Sequence, residues 1–386
     1  MLKLDVKFMR ATFVLFALSW FVGDYMGNYG DNFKYVFWVF SIICSICPIF
    51  YYLLGYKKRE KKKWDTYTLK YTMLVVVVFA VVSICSMPFN GFHLLMWKDL
   101  FYLTLPGLYC FIIINIDDSD NFDFYMNVIL AGFVANFILI ATPSSFTLAN
   151  LQSMSFADSY SPWESGLADM YGICFFYFYT RRKPKRAIVS FILSFLSFKR
   201  LNIIYMFLYL VIEPFLKNKP VPRWIEWVAK IGLIISPVFI YAATSDSFAN
   251  WFEMQFGMDL NSFTMGRFNQ INMICDLDEN MNGLGMTHYM LEKYDFDIRR
   301  LHCDILRILI ETTVVGLVVF VNSYINIARR NQKSFSLMLF FLIVMVSSTC
   351  MENVLYWAMI FLCFESLERI ERRKGERNHE LQSFKS

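Results

Sequence analysis

Residues 181–223 read RRKPKRAIVSFILSFLSFKRLNIIYMFLYLVIEPFLKNKPVPR, an apolar tract bracketed by basic clusters at Arg181–Arg186 and Lys217–Arg223 and interrupted by Lys199-Arg200. As one helix crossing a bilayer once, it would put the two clusters on opposite sides, against the tendency of Lys and Arg to stay cytoplasmic. The tract therefore predicts a hairpin of two short helices, with both clusters on one side and Lys199 and Arg200 at the bend. Pro184 to Phe198 rises only about 22 Å as a helix, short of a hydrocarbon core of about 30 Å. That sets Lys199 and Arg200 at or below the outer membrane surface. Two cations at that depth are costly, and ionisable groups held there usually face a cavity or a partner. The competing reading has both snorkelling to lipid headgroups.

The rest of the chain agrees with a bilayer as solvent. Of 386 residues 57% are hydrophobic, 19% aromatic and only 18% charged, and Phe occurs 41 times. A soluble domain holds about 25% charged residues, so soluble, disordered and disulfide-scaffold classes are excluded. Apolar runs lie near 9–27, 35–56, 69–87, 99–116, 124–142, 164–180, 187–198, 201–216, 225–244, 303–327, 334–350 and 354–368. They predict an all-α polytopic membrane protein of about twelve spans. With both termini inside, the clusters at Lys3–Arg10, Lys57–Lys63, Arg181–Arg186, Lys217–Arg223, Arg329–Lys333 and Arg369–Arg377 all fall on the cytoplasmic side. The first run is expected to be retained, since Gly23 to Asn32 offers no small-residue cleavage site. The expected divisions are spans one to nine over 1–244, a large outer loop carrying short helices over 245–302, spans ten to twelve over 303–371, and a polar cytoplasmic tail over 372–386. A loop of that length is usually functional or disordered, and its Phe, Met and Trp251 predict that it folds onto the membrane surface. A smaller outer loop, Pro143 to Trp163, faces the same way.

The nine cysteines form no metal pattern, and the Cys44/Cys47 pair sits in an apolar run, where Cys behaves as a small hydrophobe. Seven read as packing residues; Cys275 and Cys303 lie at or near the outside, where a disulfide is conceivable. Asp117-Asp118-Ser119-Asp120 looks like a metal-binding DxD but falls in a short inner loop, and reads as a solvated turn. No P-loop, GxSxG, HExxH or GxGxxG element occurs, which argues against ATP-driven, serine hydrolase, zinc protease and Rossmann chemistry. The outer segments lack a His/Asp/Glu ligand cluster, so metal-free chemistry without a cofactor is expected. They do hold Gly266-Arg267, Gly283-Leu284-Gly285 and Arg299-Arg300-Leu301-His302. Guanidinium groups suit bidentate binding of phosphate oxygens, and His302 at the water boundary titrates in the range of a general base. Glu311 lies nine residues on, on the opposite helix face and about 13 Å deeper, so it is no direct partner of His302. Asp304, Arg307 and Glu311 read as a self-neutralising ladder. Trp163 and Trp251 are either sugar-stacking rings or members of an interfacial aromatic belt.

The succession Ser197-Phe198-Lys199-Arg200, Gly266-Arg267, Gly283-Leu284-Gly285 and His302 through Leu306, Glu311 and Gly316 resembles the bacterial O-antigen polymerase and O-antigen ligase superfamily, membrane glycosyltransferases of the GT-C type. The family pattern has a small polar residue or Asn after the histidine and glycine two after the glutamate, where this chain has Cys303 and Thr313. The resemblance implies a bacterial inner-membrane polymerase with its site facing the periplasm. Arg200 and Arg267 would hold the donor's undecaprenyl diphosphate, and His302 would act as base or position the acceptor. Lys199, Arg299, Arg300 and Glu311 are the further substrate-binding candidates. Expected partners are lipid-linked donor and acceptor oligosaccharides and a chain-length regulator protein, with no nucleic acid. The alternatives are a ligase that moves the glycan to lipid A core and a lipid-linked oligosaccharide flippase. A transporter would show related halves with interrupted helices at matching places, and 245–302 has no counterpart in the first half.

Overall fold

The computed structural model describes residues 2–28, 30, 32–55, 64–117, 122–141, 146–152, 161, 163, 166–277, 279–294, 296 and 300–383. Among them there is no strand. The helices are α1 (Leu2–Asn28), α2 (Lys34–Gly55), α3 (Tyr67–Asn90), α4 (Leu94–Ile116), α5 (Asp123–Ile140), α6 (Leu148–Gln152), α7 (Tyr171–Thr180), α8 (Pro184–Leu196), α9 (Arg200–Ile212), α10 (Arg223–Ala243), α11 (Asp246–Phe256), α12 (Leu260–Phe263), α13 (Arg267–Cys275), α14 (Met286–Lys293), α15 (Asp304–Ala328), α16 (Gln332–Val344) and α17 (Val354–Ser383). Among the described residues, each of the twelve apolar runs contains a helix. Six helices, α1 to α5 and α10, are long and apolar enough to cross a bilayer. The others are short or carry polar residues along their length, as α15 does with Asp304, Arg307 and Glu311.

The tract over 181–223 is a hairpin. Pro184 starts α8 at a position where its missing N–H costs nothing, and α8 ends where Phe198 takes φ 54°. Lys199 is extended, and α9 begins at Arg200. Both helices pack on α7, which is buried from Tyr171 to Phe178. Centrally, α17 is buried throughout Val354–Phe364, against α4 and α7. Outward faces of α3 and α10, such as Val77, Val81, Trp227, Ile231 and Phe239, stay exposed, forming apolar surface that a bilayer would cover.

Ion pairs and hydrogen bonds bring the described members of the sequence's basic clusters together at one end of the bundle. Arg10 binds Asp117 at 2.9 Å, and Arg369 donates to the Asp117 carbonyl at 2.7 Å. Lys183 pairs with Asp123, while Lys333 and Arg182 share Glu213. Arg330 holds Glu368 at 3.0 Å, and the Val221 N–H donates to the Arg329 carbonyl at 2.9 Å. This is the clustering that the hairpin reading requires; Lys57–Lys63 lies outside the described residues. Asp117 corrects the expectation of a solvated turn, because it is 1% exposed and also accepts from Tyr125 at 2.8 Å. The packing of α1 on α4 and α5 brings Arg10 to it. Asp118 to Asp120 lie outside the described residues.

The segment 245–302 docks at the opposite end as four short helices, α11 to α14, with a small core of its own that includes Ile271, Met286, Leu301 and Leu306. Gly283-Leu284-Gly285 is its fastener. Asn90 donates to the Asn282 carbonyl at 2.6 Å, and the Leu284 N–H donates to Ser83 at 3.1 Å. Gly285 has φ 78°, and a Cβ there would lie 2.9 Å from Leu95 Cβ, so only glycine fits without displacing α4. Trp163 is buried and stacks on Phe146 at 4.6 Å, contrary to a surface role. Trp251 is exposed. Of the seven cysteines read as packing residues, Cys47 and Cys85 instead stand on exposed faces; Cys275 and Cys303 are both free thiols, the latter buried.

α15 breaks at Thr313, whose φ 64°, ψ −180° is a region essentially reserved for glycine. Thr313→Gly is expected to raise the melting temperature, relieving strain of about 1–3 kcal/mol, whereas Gly285→Ala is expected to lower it. Melting of the purified variants in detergent checks both; a lower value for Thr313→Gly would contradict the strain assignment.

Candidate functional site

Three separated stretches converge on one cavity of about 480 Å3 at the end opposite the basic clusters. The first is the hairpin bend. Ser197 Oγ bonds back to the Leu193 carbonyl at 2.8 Å and Ser161 caps the Leu196 carbonyl at 2.6 Å, closing α8. Asn202 Nδ2 donates to the Ala168 carbonyl at 2.6 Å and ties the start of α9 to the turn before α7. Lys199 and Arg200 are thereby held half-buried on the cavity wall. The Arg200 guanidinium lies 4.5 Å from the Phe263 ring centroid and donates to the Phe263 carbonyl at 2.9 Å. An aromatic face and a carbonyl fix the plane of the guanidinium.

The second stretch is α12 and α13. Asp259 caps α12 through the Ser262 N–H at 2.6 Å. Met265 (φ 57°) and Gly266 (φ 78°) then take left-handed conformations in succession. Two such residues reverse the chain, and the Gly266 N–H closes the turn on the Asn261 carbonyl at 2.8 Å. α13 therefore begins at Arg267, which lines the same cavity as Arg200. The third stretch is the connection into α15: the His302 N–H donates to Gln270 Oε1 at 3.2 Å, anchoring it to α13. His302 lines the cavity beside Arg267.

The walls divide chemically. Lys199, Arg200 and Arg267 face one carboxylate, Asp169, while Leu201, Ile204, Phe239, Ile240 and Phe268 make the remainder apolar. Ile204 and Phe239 are also exposed on the outer surface of α9 and α10. The cavity thus offers a cationic head and an apolar flank that opens between two helices. Burial lowers the pKa of His302 below the ordinary imidazole value, and Arg267, Arg300 and Lys199 lower it further against the opposing pull of Asp169. The imidazole is accordingly neutral at pH 7 and able to accept a proton. Among the described residues, no three His, Cys, Asp or Glu side chains converge as metal ligands.

The remaining candidates lie elsewhere. Arg300 lines a second cavity and pairs with Glu352 at 3.5 Å; Arg299 lies outside the described residues. Glu311 lines neither cavity. It accepts from the Thr287 N–H at 3.1 Å, Thr287 Oγ1 at 2.6 Å and Arg307 Nε at 3.1 Å. The structure assigns it to holding α14 against α15. The expected ladder is larger and differently composed. Arg307, 3% exposed, also binds Asp99 of α4 and, at 2.5 Å, Glu352. Asp304 leaves the ladder and accepts instead from the N–H groups of Cys350 and Met351. Asp169, Asp99 and Glu352 were not singled out from sequence; an ionisable residue inside the apolar run of α4 was the available signal for Asp99. No protein-family model matches the chain, and no curated protein matches it.

Removing Arg307 strands three buried carboxylates. Arg307→Ala is expected to cost about 3–5 kcal/mol, seen as a large drop in melting temperature. An unaltered melting curve for Arg307→Ala would contradict the network.

Proposed function

We propose that the chain is an O-antigen polymerase, a metal-independent glycosyltransferase of the bacterial inner membrane with twelve spans, a GT-C-like bundle and its site facing the periplasm. What supports this reading most is the meeting of Arg200, Arg267 and His302 in one cavity whose other wall is apolar. A polyprenyl diphosphate needs both parts: cations for the anion and a greasy flank for the lipid. The cavity lies at the end of the bundle opposite the basic clusters, and the tendency of Lys and Arg clusters to stay cytoplasmic supports reading that end as periplasmic.

In the proposed reaction, the donor's lipid lies along the α9–α10 flank and its diphosphate against Arg200 and Arg267, with Lys199 adding a third cation. A hydroxyl oxygen of the acceptor glycan attacks the donor's anomeric carbon. The bond from that carbon to the diphosphate oxygen breaks, its electron pair leaving with undecaprenyl diphosphate. The hydroxyl proton passes to the neutral imidazole of His302. The guanidinium groups stabilise charge as it develops on the leaving group, and release of the diphosphate drives the transfer without a nucleotide.

The test is conversion of lipid diphosphate repeat units into a ladder of longer glycans by the purified protein, without ATP or added metal. Arg200→Ala and Arg267→Ala are expected to lose about 10²–10³-fold in rate, and His302→Gln about 10²–10⁴-fold. Unchanged ladders in all three would contradict the site, transfer only to lipid A core would replace polymerase by ligase, and movement between leaflets without new bonds would make the protein a transporter. The base must be neutral, so kcat/KM should hold as pH falls to 6.5 and decline only below it, because the folded pKa of His302 is depressed. An acid limb at or above pH 6.5 would contradict the assignment of the base.

A further inference from the structure

A second cavity, of about 540 Å3, lies behind a thin partition. Arg300 and His302 are separated only by buried Leu301, yet Arg300 lines the second cavity and His302 the first. The loop after α16 divides in the same way: Val346 to Ser348 line the first cavity, and Thr349, Glu352 and Asn353 the second. Two residues of extended chain span at most about 7 Å, so the two cavities are near neighbours. The partition is firmly held. Asp304 accepts from the N–H groups of Cys350 and Met351, Trp357 Nε1 donates to the Met351 carbonyl at 2.9 Å, and Arg307 grips Glu352.

The second cavity is chemically unlike the first. Its rings are Trp20, Tyr35, Trp38 and Tyr102, its donors include Lys98 and Arg300, and its acceptors include Glu352 and Glu292. Lys34, Lys98 and Arg300 stand against Glu292 and Glu352, so the wall carries both signs of charge among its rings, unlike the first cavity with its three cations, one carboxylate and apolar flank. Aromatic planes combined with both donors and acceptors suit a polyhydroxylated chain, whose C–H faces stack and whose hydroxyls need partners of both kinds. One group points directly to a ligand. Glu352 Oε2 is buried and accepts no hydrogen bond, its side chain being 10% exposed. Arg300 Nη2 stands 3.5 Å from it, while Arg307 occupies Oε1 at 2.5 Å. Burial opposes ionisation of Glu352, but Arg307 and Arg300 outweigh it and hold the carboxyl well below its ordinary value. A charged oxygen without a hydrogen bond is poised to accept one from a sugar hydroxyl.

We propose that this second cavity is the acceptor subsite, a glycan-binding pocket that seats the acceptor saccharide, whose chain passes over the rim of the partition to bring its attacking hydroxyl to His302. The inference rests on the glycosyl-transfer reading for the acceptor's role, and on the cavity alone for glycan binding. Two measurements on the full-length protein in nanodiscs test it. The first is calorimetric binding of the repeat-unit oligosaccharide released from the host's own surface polysaccharide by mild acid, a probe with no lipid and no phosphate. The second is the transfer assay run with a donor whose own acceptor hydroxyl is blocked, so that donor and acceptor concentrations vary separately. Lys98→Ala and Tyr102→Ala are expected to weaken oligosaccharide binding and raise the acceptor KM at least tenfold, with the donor KM and kcat within twofold of wild type. Trp38→Phe, which keeps a ring plane against the space left by Gly23, is expected to retain binding where Trp38→Ala loses it. An unchanged acceptor KM in an active enzyme, or equal binding by wild type and both Lys98→Ala and Tyr102→Ala, would overturn the acceptor subsite and leave the donor site standing. Binding that is lost in the variants of a protein that makes no ladder would overturn the polymerase reading and keep the glycan pocket.

Discussion

One buried arginine ties the functional end together. Arg307 spends its planar fork on three carboxylates from three places: Asp99 on α4, Glu311 one turn along α15, and Glu352 on the loop between α16 and α17. A lysine presents no such fork. Through Glu311 the network reaches Thr287 and fastens the outer segment; through Glu352 it fixes the partition between the cavities. Removing such charges from water carries a desolvation cost that only close pairing offsets. The helices therefore have one low-energy registration, the one in which all four groups meet, and the cavity walls follow from it.

The two cavities differ because their walls are drawn from different parts of the fold. The first borrows the exposed apolar sides of α9 and α10, and so has an apolar flank as well as its cations. The second draws on α1, α2 and α4, where aromatic and charged residues meet. The short hairpin is what makes the first possible. Because α8 stops at Leu196, Arg200 is placed beside the segment 245–302, against Phe263, on the wall of the first cavity.

How much of this was legible in the sequence depends on the range of the interactions. The apolar runs and the basic clusters are local signals, and they located the helices and the hairpin, down to the break at Lys199-Arg200. The convergence of Arg200, Arg267 and His302 was readable as order and spacing, although nothing in the chain dictates that positions so far apart must touch. The Arg307 network was half legible: Glu311 lies one turn away, but Asp99 and Glu352 come from distant helices and loops, and no periodicity announces them. Asp117 and Trp163 were misjudged for the same reason. A polar or interfacial residue becomes buried once a distant helix supplies its partner, and that partner is invisible along the chain. Gly283-Leu284-Gly285, quoted as part of a family pattern, is a packing device whose need for glycine comes from the nearness of α3 and α4.

The central claim is that the diphosphate of a lipid-linked glycan sits on Arg200 and Arg267. A cryo-electron microscopy structure of the protein in nanodiscs with undecaprenyl diphosphate tests it most directly. The account predicts phosphate density within hydrogen-bond distance of both guanidinium groups, with the prenyl chain leaving between α9 and α10. Phosphate density at the opposite end of the bundle, or against Arg300 and Lys98 with the first cavity empty, would contradict it.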